Sequence, residues 1–171
     1  MENYLEEIIL ELKNSGIKFI ICGGVAAVIH GVERMTADID LSLAMDDKNL
    51  NDFLKLMKKL NFIPRAPVPP EYLLYSDKRE AMLNEKGALV FTFIDVDRPF
   101  RQIDIFLEKE KSFDILKDYA ETINIDEKEI HLISPEKLIE MKKEIKPPRK
   151  KDLFDIEELK EILKRRQESE G

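Results

Sequence analysis

The chain has 171 residues, 43% of them hydrophobic, and a net charge of −7. That is one domain with a real core and a helical appendage, and an acidic balance that argues against a broad nonspecific grip on nucleic acid, though not against a local contact with an RNA end. No apolar run is long enough to span a membrane, no secretory leader opens the sequence, and one cysteine with two histidines excludes an internal disulfide and disfavours a zinc cluster; the chain reads as cytoplasmic.

Residues 2–14 carry Leu5, Ile8, Ile9 and Leu12 at helical spacing, with Gly16 as the stop. A hydrophobic strand follows over 17–22, with Cys22 as plain core, and it ends at Gly23-Gly24. A short helix over 25–30 comes next, and His30 beside Gly31 at its negative end reads as structural. The second strand is Asp38-Ile39-Asp40-Leu41-Ser42-Leu43. Alternation sends Asp38 and Asp40 to one face, about 6–7 Å apart, and Ile39, Leu41 and Leu43 to the other. Glycine lets backbone approach a ligand closely, and a helix N-terminus offers free N–H groups to phosphate. The stretch 19–43 is therefore a phosphate cradle beside a two-carboxylate metal site.

Asp46 caps a helix whose apolar face is Leu50, Phe53, Leu54 and Met57. Residues 61–76 hold four prolines and read as a stiff extended loop, and 77–86 as a short helix before Gly87. Segments 88–94 and 102–107 make an antiparallel hairpin. A second D-x-D, Asp95 and Asp97, abuts Arg98-Pro99 and belongs to the turn. Segments 122–125 and 129–133 make another hairpin. Ser134-Pro135 opens a helix, Pro147-Pro148 ends it, and a last helix covers 150–165 with a tail over 167–171 that frays. The basic cluster Lys146, Arg149, Lys150 and Lys151 is open between solvated linker and substrate-facing surface.

Two charges fall on apolar helix faces. Lys142 lies within the stripe of Leu138, Ile139, Met141 and Ile145, while Lys143 falls outside it. Asp152 lies near the centre of the stripe of Ile156, Leu159, Ile162 and Leu163, with Asp155 near its edge. A charge on a buried face is costly unless paired or ligand-bound. Lys142 and Asp152 are therefore candidates for function or for an internal ion pair; the plain alternative is Lys142 snorkelling at a helix edge.

Gly23-Gly24 followed by Asp38-Ile39-Asp40, with a later acid in a hydrophobic frame at Ile103-Asp104-Ile105, resembles the DNA polymerase β-like nucleotidyltransferase superfamily. Arg34-x-Thr36-x-Asp38-h-Asp40 and the C-terminal Lys142, Arg149 and Asp152 are similar to the branch holding antibiotic nucleotidyltransferases and abortive-infection toxins. The resemblance implies an α+β fold with a mixed sheet, flanking helices and C-terminal helices that help close the site. It divides the single domain into a nucleotidyltransferase core over 1–133 and a packed helical segment over 134–171. It implies Asp38, Asp40 and Asp104 as catalytic and metal-holding acids for two Mg2+ ions, with Mn2+ as a substitute, and Gly23, Gly24, Arg34, Thr36 and Lys142 as nucleotide-binding residues. Arg34 is open between meeting a triphosphate and orienting a carboxylate, and Thr36 leans to scaffold. The implied substrates are an NTP and a hydroxyl acceptor, whether a tRNA end, a small molecule such as an antibiotic, or a protein side chain, and an antitoxin is an implied partner. The rival readings are a non-catalytic nucleotide-binding or regulatory module of the same fold and, more weakly, a metal-dependent hydrolase.

Overall fold

A computed structural model of the chain describes residues 3–171. Its centre is β1 (Phe19–Cys22), whose four side chains are all buried. It pairs antiparallel with β2 (Asp38–Leu43) and parallel with β7 (Lys128–Ile133). β2 pairs parallel with β5 (Gln102–Phe106), which pairs antiparallel with β4 (Val90–Asp95). The short β3 (Phe62–Pro64) and β6 (Ala120–Ile125) close the edges, giving one mixed sheet ordered β3-β4-β5-β2-β1-β7-β6.

The two faces are unlike because period-2 alternation separates them. Ile39, Leu41, Phe91, Phe93, Ile103 and Ile105 are buried together, and Phe93 meets Phe53 of α3 (Asp47–Lys59) edge-on at 5.5 Å. Leu5, Ile9 and Leu12 of α1 (Asn3–Asn14) join that core. The opposite face carries the acids and lies under α2 (Gly23–His30), α6 (Pro135–Lys143) and α7 (Lys150–Glu170), which pack on one another.

The expected caps are in place. The Asp46 carboxylate accepts from Asn49 N, the Ser134 hydroxyl from Lys137 N, and Gly87 is left-handed after α4 (Ser76–Lys86). Cys22 is fully buried, and burial first, then the nearby Asp40, push its thiol far above the ordinary range. His30 is structural: it meets the Ile133 carbonyl through Nε2 at 2.7 Å and accepts from Arg166 through Nδ1 at 3.2 Å.

Several boundaries differ from expectation, each for a physical reason. The helix expected over 2–14 is described from Asn3; Glu2 lies outside the described residues. The helix expected to begin at Val25 begins at Gly23, because the chain reverses in one residue, with Gly23 at φ +63°. β1 starts at Phe19 and not at Ile17, because Asn49 takes Lys18 N, accepting from it at 2.7 Å; Lys18 O accepts from both Asn49 at 3.0 Å and Ala44 N at 3.2 Å. The proline-rich 61–76 is not all loop. Phe62–Pro64 forms an edge strand, where a missing N–H is tolerated. The last helix does not fray at 167 but runs to Glu170, carried past Arg166 by that residue's bonds to Glu121 and His30. The segment between β5 and β6 was not read from sequence; it holds α5 (Phe113–Leu116).

Asn49 is 5% exposed and also donates to Ala44 O at 2.8 Å, so one side chain ties α3 to both β1 and β2. Asn49→Ala takes the side-chain partner from Lys18 N and Ala44 O, while Lys18 O keeps Ala44 N, and should cost about 1–3 kcal/mol in urea unfolding.

Candidate active site

The local fold puts three carboxylates on one floor. Cys22, Asp40, Asp104 and Thr92 stand opposite one another across β1, β2, β5 and β4, so their side chains share a face. Asp38 lies two residues before Asp40 on that face. Asp38, Asp40 and Asp104 all line a cavity of about 600 Å³ between the sheet and the α6–α7 connection. Gly23, Gly24, Arg34, Thr36 and Lys142 line it too, so every residue singled out as catalytic or nucleotide-binding meets there. Asp95 and Asp97 do not; Asp95 instead accepts from the N–H groups of Asp97 and Arg98, as a turn residue does.

The glycines are required by contact. A Cβ on Gly23 would lie 1.8 Å from Asp40 Oδ2, and φ there is +63°. A Cβ on Gly24 would lie 2.6 Å from the Arg34 guanidinium and 3.0 Å from Thr36 Oγ1. The start of α2 is thus pressed bare against the acids and the Arg34–Thr36 loop, with the positive end of its dipole toward the cavity.

Above the floor sits a clamp of buried charge. Asp155 is fully buried and takes Arg34 in a two-point bond, 2.6 Å from Nε and 2.7 Å from Nη2, and Lys142 Nζ at 2.8 Å. Lys142 also meets Asp152 at 3.1 Å, and Asp152 accepts from Arg149. Lys142 therefore neither snorkels nor hangs free. It is the bridge of a chain Arg34–Asp155–Lys142–Asp152–Arg149 that ties the loop after α2 to α6 and α7. Burial works to raise the pKa of both aspartates, but bonds from Arg149 and Lys142 to Asp152, and from Arg34 and Lys142 to Asp155, hold them below the usual range. Asp155 was placed at a stripe edge by sequence; its role as hub depends on Arg34, 121 residues away. Lys111 was missed as well. It lines the cavity beyond Asp104, its carbonyl fixed by the Ser42 hydroxyl at 2.7 Å and its ammonium paired with Glu108.

The acids are poised for a cation. Burial first, then Asp104 and Asp38, push Asp40 up to about 7, against the pull of Lys142 and Lys151. Asp38 is raised by burial and by Asp104. All-oxygen, hard donors of this kind suit Mg2+ or Mn2+ rather than zinc. Among the described residues no three His, Cys, Asp or Glu side chains stand close enough to enclose an ion by themselves. Mg2+ takes one or two protein carboxylates and completes its shell with water and substrate phosphate.

A family model described as nucleotidyl transferase AbiEii toxin, type IV TA system, matches residues 5–169. No curated protein matches. Among solved structures, the lincosamide antibiotic adenylyltransferase LnuA with lincomycin bound superposes with a TM-score of 0.63 at 15% identity, covering 95% of this chain and 98% of that one. ANT(2")-Ia in complex with adenylyl-2"-tobramycin gives 0.56 at 12% identity, covering 98% and 97%. An antigenic nucleotidyltransferase-like protein from Paracoccidioides brasiliensis gives 0.54 at 18% identity, covering 91% and 73%. At these identities the likeness is one of fold.

Two predictions come from this geometry. Asp155→Ala strands Arg34 and removes one of two partners of Lys142, and should cost about 3–5 kcal/mol in urea unfolding. Lys142→Met should cost less, since each aspartate keeps an arginine. Equal losses would mean that Asp155 is not the hub.

The second concerns pH. Without metal, Asp40 holds its proton up to about pH 7 in the folded chain but only to about 3.8 unfolded. The folded state binds the extra proton between those values, so this contribution is full below 3.8 and lost as pH rises through 7. Asn cannot ionise. In EDTA, the melting-temperature gap of Asp40→Asn over wild type should widen from pH 4 to pH 7 and then level, at roughly 2–4 °C per kcal/mol relieved. His30, whose pKa is lowered by burial, slopes the other way, but it is common to both proteins and cancels. A gap independent of pH would show that neither burial nor its neighbours raise Asp40 in the folded chain.

Proposed function

Because the chain belongs to the AbiEii nucleotidyl transferase family, toxins of type IV toxin–antitoxin systems, we propose that this cavity transfers a nucleoside monophosphate from an NTP to a hydroxyl acceptor. The observation that carries the reading is the in-register row of Asp40 and Asp104 against the bare backbone of Gly23, inside a cavity rimmed by lysine and arginine. The acceptor oxygen attacks the α-phosphorus in line, the bond to the bridging oxygen breaks, pyrophosphate leaves, and the acceptor proton passes to solvent water. Asp38, Asp40 and Asp104 would hold two Mg2+ ions, with Mn2+ as a substitute. When bound, the metal neutralises the triphosphate and acidifies the acceptor hydroxyl.

The chain's own groups do the positioning. Gly23, Gly24 and the start of α2 offer backbone N–H groups to phosphate. Thr36 flanks that cradle, and Arg34 and Lys142, held by Asp155, place positive charge over it without drifting into the acids. Burial keeps bulk water from screening these charges. No covalent nucleophile is needed, since phosphoryl transfer depends on alignment and charge neutralisation.

The acceptor reading follows the rim. In a chain of net charge −7, the cluster Lys146, Arg149 and Lys151 lines the cavity mouth and favours an anionic acceptor such as a tRNA 3′ end, in the cytoplasm. The LnuA and ANT(2")-Ia likenesses keep a small hydroxylated acceptor as the competing case. An antitoxin partner goes with the family.

Incubation with Mg2+ and each labelled NTP, with bulk cell RNA or hydroxylated antibiotics as acceptor, should move label to one acceptor class. Asp38→Ala and Asp40→Ala, folded by circular dichroism, should abolish that transfer. Undiminished transfer by either variant overturns the assignment.

A further inference from the structure

Thr92 stands directly opposite Asp104 in the β4–β5 ladder and donates its hydroxyl to Asp104 Oδ1 at 2.6 Å. Its neighbours Phe91 and Phe93 face the core on the other side, 4% and 0% exposed. Alternation therefore turns a lone hydroxyl of this strand segment onto the floor of acids. A β-branched side chain in a strand has little χ1 freedom, so the hydroxyl is held where the ladder puts it. A threonine has one O–H proton to donate, and here a carboxylate takes it at charge-assisted length.

We infer that Thr92 is a positioning residue for the transfer reaction: it ties down one oxygen of Asp104 and so aims the other into the cavity. This rests on the nucleotidyltransferase reading of the site. Asp104 has no second side-chain tether among the bonds the structure shows, whereas Asp40 packs against Gly23, where an added Cβ would lie 1.8 Å from its Oδ2. Without the hydroxyl, Asp104 is free to turn about its terminal torsion, which is broad for a carboxylate. A ligand oxygen that turns is a poorer ligand, and outer-shell partners of metal ligands typically cost about 10–100-fold in affinity or activity when removed.

Thr92→Val keeps the volume and branching and deletes only the donor; Thr92→Ser keeps the donor. Two readouts apply to the full chain. The first is the Mn2+ concentration giving half of the maximal thermal shift, measured without NTP. The second is kcat and KM for the NTP in the labelled-transfer assay. Thr92→Val should need about tenfold more Mn2+ and lose roughly 10–100-fold in kcat, with KM within about twofold. Thr92→Ser should stay within about threefold of wild type in both. The melting temperature in EDTA should be similar for all three proteins, because the lost bond tethers the site more than the core. Asp104→Asn is the control and should abolish the Mn2+ shift.

Wild-type Mn2+ response and kcat in Thr92→Val would overturn the role of Thr92 and leave the site reading standing. So would a Thr92→Ser variant as impaired as Thr92→Val. A wild type that shows no Mn2+ shift, or an Asp104→Asn variant that keeps it, would overturn the site reading itself and the role of Thr92 with it.

Discussion

Parallel pairing of β2 with β5 brings Asp40 level with Asp104, and two carboxylates at that spacing on a half-buried floor repel. Burial of the floor and that repulsion act together on the site. Asp40 is driven up to about 7, so the folded chain without metal carries a strained group in its centre. Gly23 is bare where a Cβ would strike Asp40. The hydroxyl of Thr92 attends to one oxygen of Asp104. In the proposed reading, a divalent cation would turn the same arrangement from a cost into a source of binding.

The second organising feature is the clamp of Arg34, Asp155, Lys142, Asp152 and Arg149. Buried ion pairs seldom add much net stability, because desolvation offsets their attraction; breaking one is what costs. Their use here is placement. Lys142 and Arg34 are cations that line the same cavity as the acids of the sheet yet do not collapse onto them. Two buried aspartates from one helix hold them back, Asp155 touching both and Asp152 touching Lys142. The clamp also fastens the loop after α2 to α7, Arg34 meeting Asp155 121 residues downstream, where α2, α6 and α7 pack together.

Much of this was legible in the sequence because it depends on local periodicity. Alternation in Asp38–Leu43 separates acids from core whatever β2 pairs with, and Gly23-Gly24 marks a reversal that bulkier residues forbid. The caps at Asp46 and Ser134, the turn role of Asp95 and the inward face of Lys142 follow from neighbours within four residues. The short strand at Phe62–Pro64 was not legible, because three residues with a proline carry no period of their own and exist as a strand only against β4. Nor was the start of β1, which is set by a side chain on another helix.

What the sequence determined by itself is the chemistry: three acids, a glycine reversal and two inward charges, each fixed by residue type and by spacing along one element. What only the tertiary structure decided is who faces whom. Thr92 meets Asp104 through strand register, Asp155 meets Arg34 across 121 residues, and Lys111 reaches the cavity from a turn with no signal of its own. The reason is physical: side-chain direction within an element repeats with a period that any reader of the sequence can count, whereas the register between elements is set by how the whole core packs.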